Sequence, residues 1–299
     1  MELLTYEIPL KGNNHKPIFI APVGDIQWAG NRGGTAQDTL KRHIDRCMEL
    51  GAYFIGLGDY IDFLSPSNRM RLRAAALYDT AEDVIDQKAE ELTHQVFDKF
   101  LKPTVGRWLG LLHGHHWSYL DNGTTTDQLL AGMLRTKFLG TSAYIRLLFK
   151  GSSTTRFSIT LWAHHGCGGG AKAASPAMKL ENISPYWDAD IFFMGHTSKM
   201  VSAPINRITP VWDGKEPFLK HRKILLVGTG GFSKGYIQGS KIKNVPMDGY
   251  VGQKMLNPAV LGAPIAKVVP NWSYAGSRKN PEGKRISMTE WQPEITVEL

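Results

Sequence analysis

Apolar positions fall in short blocks along the first two thirds of the chain, and several blocks stop at the same kind of turn. "PIFIAPVGD" (17–25) and "AYFIGLGD" (52–59) are near-continuous apolar runs, each ending in Gly-Asp. Runs of this length and kind predict buried strands. Between them Leu40, Ile44, Cys47 and Met48 recur at i, i+4, i+7 and i+8, which predicts a helix. Thr35 and Asp38 stand at capping-box spacing ahead of it. "AEDVIDQKAEELTHQVFDKF" (81–100) predicts a longer amphipathic helix, opened by Thr80 and Asp83 at the same spacing. It reads as a lid or insertion around 65–103. "RWLGLLHGHH" (107–116) is a third strand, and "TTTDQLLAGMLRTKF" (124–138) a helix with Leu130, Met133, Leu134 and Phe138 on one face. "AYIRLLFK" and "TRFSITLW" predict a hairpin around "GSST". The second of these runs into "AHHGCGGG" (163–170), and "ADIFFMGHTS" (189–198) is another strand-to-turn. The remainder alternates short β-like runs with Gly, Pro and Asn. No internal repeat, low-complexity segment or linker-like shift divides the chain, so one domain over 1–299 is expected.

Five turns after apolar runs carry Asp or His: Asp25, Asp59, His115 with His116, His164 with His165, and His196. In open α/β sheets ligands sit beyond the carboxyl ends of the strands, so strands laid side by side would bring these turns to one rim. Six of the 10 histidines lie in three of the turns, which scattered surface histidines would not do.

Composition adds limits rather than a function. At 299 residues the chain is long enough for one large α/β domain. No apolar run reaches the roughly 18 residues of a membrane span. The start, "MELLTYEIPLKGNN", lacks the order of a secretory signal. Cys47 and Cys167 fit no zinc or disulfide framework, so a reducing cytoplasm is the expected location. Residues 199–299 hold 15 Lys and Arg against 7 Asp and Glu and carry the whole net charge of +8. That part reads as a solvated basic surface or as a face for polyanions, nucleic acid among them.

Aspartates and imidazoles at one rim are the ligand set of a divalent transition-metal site. "GCGGG" lacks the Gly-Lys-Ser/Thr that would make it a P-loop. The order Asp25-Ile-Gln27, Gly58-Asp59, Gly114-His115-His116, His164-His165-Gly166 and Gly195-His196-Thr197-Ser198 resembles the calcineurin-like metallophosphoesterase superfamily. That family reads D-x-H, G-D, G-N-H-D/E, H and G-H-x-H, and the match spans 25–198. The "HHGxGGG" turn is similar to phosphoesterases of phage and bacterial genomes, and "LLVGTGGFSKGY" (225–236) to the closing part of such domains. The resemblance implies a four-layer αββα sandwich of two mixed β-sheets flanked by helices, with two divalent metal ions. Asp59 would bridge them. Asp25 and Gln27 would hold the first, and His115, His164 and His196 the second. His116 takes the place of the proton-donating histidine.

The departures are specific. Gln27 and Ser198 stand where the family has His, and both losses fall on the first metal. One tight site suited to Mn, Zn or Fe, and one weaker oxygen-donor site suited to Mn or Mg, are therefore expected. Trp117 replaces the acidic residue beside the proton donor, which leaves the orientation of His116 open. His164 is preferred to His165 as ligand, which places His165 beside Ser198, Asp62 and Lys172 as candidates behind the ligands or along the substrate. Asp62 orients a ligand or caps a turn, and Lys172 reaches a phosphate or is a solvated helix start. His113 reads as a packed or hydrogen-bonded residue and Cys167 as a small loop residue. Asn68 and Arg69, in "SPSNR", read as an ordinary loop or as part of the cleft. The expected activity is phosphoester hydrolysis, with a phosphodiesterase or nuclease favoured by the basic final third. A phosphomonoesterase and a catalytically degraded metal-binding scaffold are the alternatives. The expected partner is a phosphoester, with nucleic acid or a nucleotide as candidates, and no membrane.

Overall fold

The computed structural model describes residues 1–9, 16–30, 34–75, 78–150, 156–170, 172–212, 217–242, 244–279, 285–291 and 293–299. In chain order the elements are β1 (Glu2–Pro9), β2 (Ile18–Val23), α1 (Gln37–Glu49), β3 (Tyr53–Gly56), α2 (Pro66–Ala75), α3 (Asp79–Val96) and β4 (Trp108–Leu111). Then come α4 (Thr126–Met133), β5 (Ser142–Lys150), β6 (Arg156–His164), α5 (Ser175–Ile183), β7 (Ile191–Met194), β8 (Val201–Trp212) and β9 (Pro217–Gly228). The chain ends with β10 (Lys241–Ile242), β11 (Val245–Pro246), the short α6 (Tyr250–Gln253), β12 (Ile265–Val269), β13 (Trp272–Lys279), β14 (Arg285–Trp291) and β15 (Glu294–Glu298).

Two mixed sheets form the centre, one in the order β1-β5-β6-β7-β9-β8 and one in the order β15-β12-β2-β3-β4. The strands that feed the five turns are parallel within each sheet: β2, β3 and β4 in one, β6 and β7 in the other. Alternation builds the space between the sheets. Ala143, Ile145, Leu147 and Phe149 of β5 and Ile159, Leu161 and Ala163 of β6 face inward and meet Ile20, Ile55 and Val268 of the second sheet. The opposite faces are covered by helices. Leu40, Ile44 and Cys47 of α1, Leu92 and Val96 of α3 and Leu130 of α4 pack on Phe54 and Trp108. Leu180 of α5 packs on Trp162, Phe192 and Leu226. Each such side chain contributes roughly 1.5–3 kcal/mol on burial. The result is the expected αββα sandwich of two mixed sheets. No helix among the described residues is long and apolar enough to cross a membrane.

Local expectations fared unevenly. Thr35 does not cap α1, whose N-cap is Ala36. The Thr35 hydroxyl instead donates to the carbonyls of Ile26 and Gln27, both at 3.1 Å. Thr80 does not cap α3, which begins at Asp79 after Tyr78. A true capping box is built by Thr125 and Gln128 at the start of α4. That helix ends at Met133, and Phe138 bridges to Leu111 rather than extending a helical face. The 65–103 region contains α2 as well as α3, so Asn68 and Arg69 are helical. The hairpin of β5 and β6 is present, while its "GSST" turn lies outside the described residues.

Candidate metal centre

The turns meet at the carboxyl ends of the parallel strands and are tied to one another by backbone hydrogen bonds. Asp25 N–H donates to Gly58 O at 3.0 Å and Gln27 N–H to Asp59 O at 2.9 Å. The turns after β3 and β4 touch through two glycines. A Cβ on Gly58 would lie 2.4 Å from Gly114 N, and one on Gly114 would lie 2.1 Å from Asp59 N. Only hydrogen fits at either position. Asp25, Gln27, Asp59, His196 and Ser198 all hold positive φ, between 47° and 66°. Such conformations cost roughly 1–3 kcal/mol each and gather at functional sites, so the rim concentrates strain where the candidate ligands are.

Four donors converge. One ligand atom each from Asp59, His115, His165 and His196 lies within 4.8 Å of the other three. His115 Nδ1 and His196 Nδ1 face each other at 3.1 Å, and His165 Nε2 is 3.4 Å from Asp59 Oδ2. Donors held at ~2.0–2.1 Å from one ion in a tetrahedron sit roughly 3.3–3.4 Å apart, so these spacings suit a shared cation. The Asp59–His165 contact lacks hydrogen-bond geometry, and His165 Nε2 is a buried atom without a partner. Asp25 Oδ1 is another, while its Oδ2 accepts the His196 N–H at 2.9 Å. Buried polar atoms without a hydrogen-bond partner ask for one, and His165 Nε2 belongs to the converging group.

Each donor is oriented from behind. Leu57 O accepts the His165 Nδ1–H at 2.6 Å, which leaves Nε2 to face Asp59. Asp59 Oδ1 accepts the backbone N–H groups of His115 and of His116, the latter at 2.9 Å, and leaves Oδ2 for the centre. Burial alone would raise the Asp59 carboxyl, but His165 and His116 hold it well below the usual carboxylate range. At Asp25 burial, with the Asp59 charge, outweighs the lowering by His165, His116 and the His196 amide and pushes the carboxyl up to about 7. Burial and the charge of His165 pull His196 down to about 4, and burial lowers His115. Both rings are therefore neutral and ready to donate lone pairs.

His165, not His164, belongs to this group. Strand parity is the reason. Leu161 and Ala163 of β6 face the space between the sheets, and His165 continues that side. Trp162 and His164 face α5, their rings stacked at 5.7 Å, and His164 Nδ1 accepts the Gly166 N–H at 2.7 Å. Gln27 is half-buried beside Asp25, and Ser198 Oγ borders Gly231 together with the Asp25 side chain. Lys172 is exposed, and its carbonyl rather than its ammonium is engaged, by Lys199 at 3.1 Å.

His116 stands at the edge of the group. Its Nδ1 is 2.8 Å from Asp62 Oδ1, so the orienting carboxylate comes from the turn after β3, not from position 117. Asp62 first, against the effect of burial, raises the His116 imidazole. His113 is packed as expected, 2.7 Å from the buried Asp127 and stacked on Trp117 at 4.4 Å.

Three cations support the turns through contacts that the sequence does not announce, Arg69 among them, which reads there only as a loop or cleft residue. Arg69 Nη1 donates to the carbonyls of Leu64, His115 and Trp117, at 2.6, 2.8 and 2.8 Å. Lys199 is nearly buried and donates to Gly170 O, and Lys179 donates to Cys167 O and to Gly168 O. The two ammonium groups clamp the glycine-rich turn. No periodic signal marks them, since they act on carbonyls that any residue could offer. No protein-family model matches this chain, and no curated protein matches it.

Proposed function

We propose that this protein is a metal-dependent phosphoesterase of the calcineurin-like kind, acting on phosphodiesters. The observation that carries the reading is the convergence of Asp59, His115, His165 and His196 beside an Asp62-oriented His116. The donor chemistry fits a divalent ion. Three imidazoles and a carboxylate suit Zn, Fe or Mn. Asp25, with Gln27 and Ser198 near it, supplies only oxygen donors, or an amide, for a second and weaker ion such as Mn or Mg. A divalent ion bound here supplies Lewis-acid polarisation of a phosphoryl group. The chain's own residues do the rest. Leu57 and the His115 and His116 amides hold His165 and Asp59 in place. Asp62 keeps His116 Nδ1 occupied, so Nε2 is the atom that delivers a proton to the departing oxygen.

The test is direct. The purified protein is analysed for bound metal and assayed on bis-p-nitrophenyl phosphate and p-nitrophenyl phosphate with added Mn. About one tight metal per chain and Mn-stimulated diester cleavage are expected. Asp59→Asn should abolish both, and full activity in that variant would sink the assignment.

A further inference from the structure

The segment 114–118 is pinned at both ends. Gly114 N–H donates to Asp127 Oδ2 at 3.4 Å. Ser118 N–H donates to Thr126 Oγ1 at 3.2 Å, and Ser118 O accepts the Thr126 N–H at 3.0 Å. Between these ends the peptide joining His115 to His116 is held at both of its polar atoms. Its N–H, that of His116, donates to Asp59 Oδ1 at 2.9 Å, and its carbonyl, that of His115, accepts from Arg69 Nη1 at 2.8 Å. The same nitrogen donates to Trp117 O at 2.8 Å, so the carbonyls of both residues flanking His116 meet one guanidinium. It donates as well to Leu64 O at 2.6 Å, two residues after Asp62. Arg69 therefore ties the turn that carries Asp62 to the segment that carries His116. Among the described residues no other group donates to His115 O or to Trp117 O.

The Trp117 ring is part of the same clip. The Arg69 guanidinium lies 4.0 Å from its centroid, and the His113 ring is stacked on it at 4.4 Å. At these distances one face has room for one group, so the indole is a slab between the two. His113 is itself fixed, 2.7 Å from the buried Asp127. Packing of α2 does not explain the contact. Along that helix the described side chains are exposed except Arg69 and Leu72, which are half-buried. The guanidinium, more than any apolar face, joins the helix to the two turns.

We propose that Arg69 is the positioning residue of the proton donor: through the His115 and Trp117 carbonyls and the Trp117 ring it sets where His116 Nε2 points. The inference rests on the phosphoesterase reading, in which the departing oxygen takes the His116 proton as its bond to phosphorus breaks. Such a transfer needs the two heavy atoms within roughly 2.6–3.2 Å of each other. The Asp62 contact orients the imidazole ring, but both side chains of that pair are open to solvent. It leaves the backbone beneath His116 free to tilt. Arg69 removes that freedom, because it fixes the carbonyls on either side and holds the Asp62 turn at Leu64 O. Trp117 is then the handle by which the segment is gripped, while Asp62 fills the part of an acidic neighbour.

The experiment uses Arg69→Met, which keeps an apolar stem and removes the guanidinium. With Mn present, kcat on methyl phenyl phosphate should fall about tenfold to a hundredfold, the scale of a misplaced reacting group. On methyl p-nitrophenyl phosphate, whose leaving group departs without a proton, the fall should stay below about threefold, with bound metal unchanged. In a His116→Ala background Arg69→Met should cost nothing further on either ester, because the two residues act as one unit. Equal losses on the two esters, a loss that persists without His116, or no loss at all overturn the proposal. Hydrogen exchange reads the clip without catalysis. Peptides covering 112–118 should exchange at least about fivefold faster in Arg69→Met, while those from β5 and β6 stay as in the wild type. Unchanged exchange at 112–118, or faster exchange throughout, also overturns it. If the wild type cleaves neither ester nor bis-p-nitrophenyl phosphate, the phosphoesterase reading fails, and faster exchange confined to 112–118 still supports Arg69 as the residue that sets this segment.

Discussion

Replacing His165 and His164 by Ala, one at a time, separates a ligand from its neighbour. His165 is 2% exposed, its Nδ1 is fixed on Leu57 O at 2.6 Å, and its Nε2 lies 3.4 Å from Asp59 Oδ2. His164 sends its Nδ1 to Gly166 N–H and its ring to Trp162. Structural zinc sites bind with about 10–16 kcal/mol, or about 2.5–4 kcal/mol for each of four donors. At about 1.4 kcal/mol per factor of ten, losing one donor weakens metal binding by roughly two to three orders of magnitude. His165→Ala should show that loss in calorimetric titration of Mn or Zn into the apo protein. His164→Ala should change affinity by less than about tenfold. Both variants are checked for folding by circular dichroism. Equal losses in the two variants, or a larger loss for His164→Ala, would refute the parity argument and return His164 to the ligand set.

Burial pulls the His165 imidazole down, but the Asp59 contact and the Asp25 charge overcome this and lift it to about 9 in the metal-free protein. Metal binding must displace that proton, so affinity should rise with pH up to about 9, and titration in buffers of different ionisation enthalpy should count about one proton released near pH 7; no release would remove His165 from the centre. Asp62→Asn weakens a charge-assisted hydrogen bond between partly exposed groups, worth about 1 kcal/mol after screening, so kcat on an alkyl leaving group should fall roughly fivefold with metal content intact. The loss should be smaller for p-nitrophenol, which departs without a proton, and an equal loss on both would argue that Asp62 serves the metal. Gly114→Ala drives a methyl to 2.1 Å from Asp59 Oδ1 and should cost metal binding along with at least ~1–3 kcal/mol of stability. Gly132→Ala in α4 meets nothing within 4 Å and should add ~0.5–1 kcal/mol in denaturant melts, and a reversed order of the two would contradict the packing described.

The layered fold was legible because each block of the pattern had one physical cause. Near-continuous apolar runs became β3, β4 and β7, buried on both faces, and the 3.6-residue stripe of Leu40, Ile44 and Cys47 became the buried face of α1. What escaped lacked such a cause. In α2, "PSNRMRLRAA" carries no acidic residue in its first turn, and Met70 is exposed, so no stripe announces a helix. The 12-residue strands β8 and β9 read as short fragments because β8 is an edge strand holding Pro204 and Pro210, where a missing N–H is tolerated.

The site was legible as a list of turns but not as a set of donors, and the difference lies in what a motif position does. Gln27 and Ser198 fill positions where the resemblance expects imidazoles, yet both keep the left-handed backbone, at φ of 47° and 48°. Gln27 N–H still ties to Asp59 O, its carbonyl takes the Thr35 hydroxyl, and Ser198 O accepts the Val260 N–H at 3.0 Å. Those bonds aim Asp25 and His196 whatever the side chain at 27 or 198 is. A sequence match records the side chain and is silent about this backbone work. Likewise the pair at 164–165 offers two identical imidazoles, and only the knowledge that Ala163 faces the inner layer decides between them. A bulky Trp162 beside a small Ala163 gives no hint of that side, since both are buried, one under α5 and one between the sheets. The donor set is therefore a property of the stacked sheets, and it follows from the sequence only after the layer each strand face meets is known.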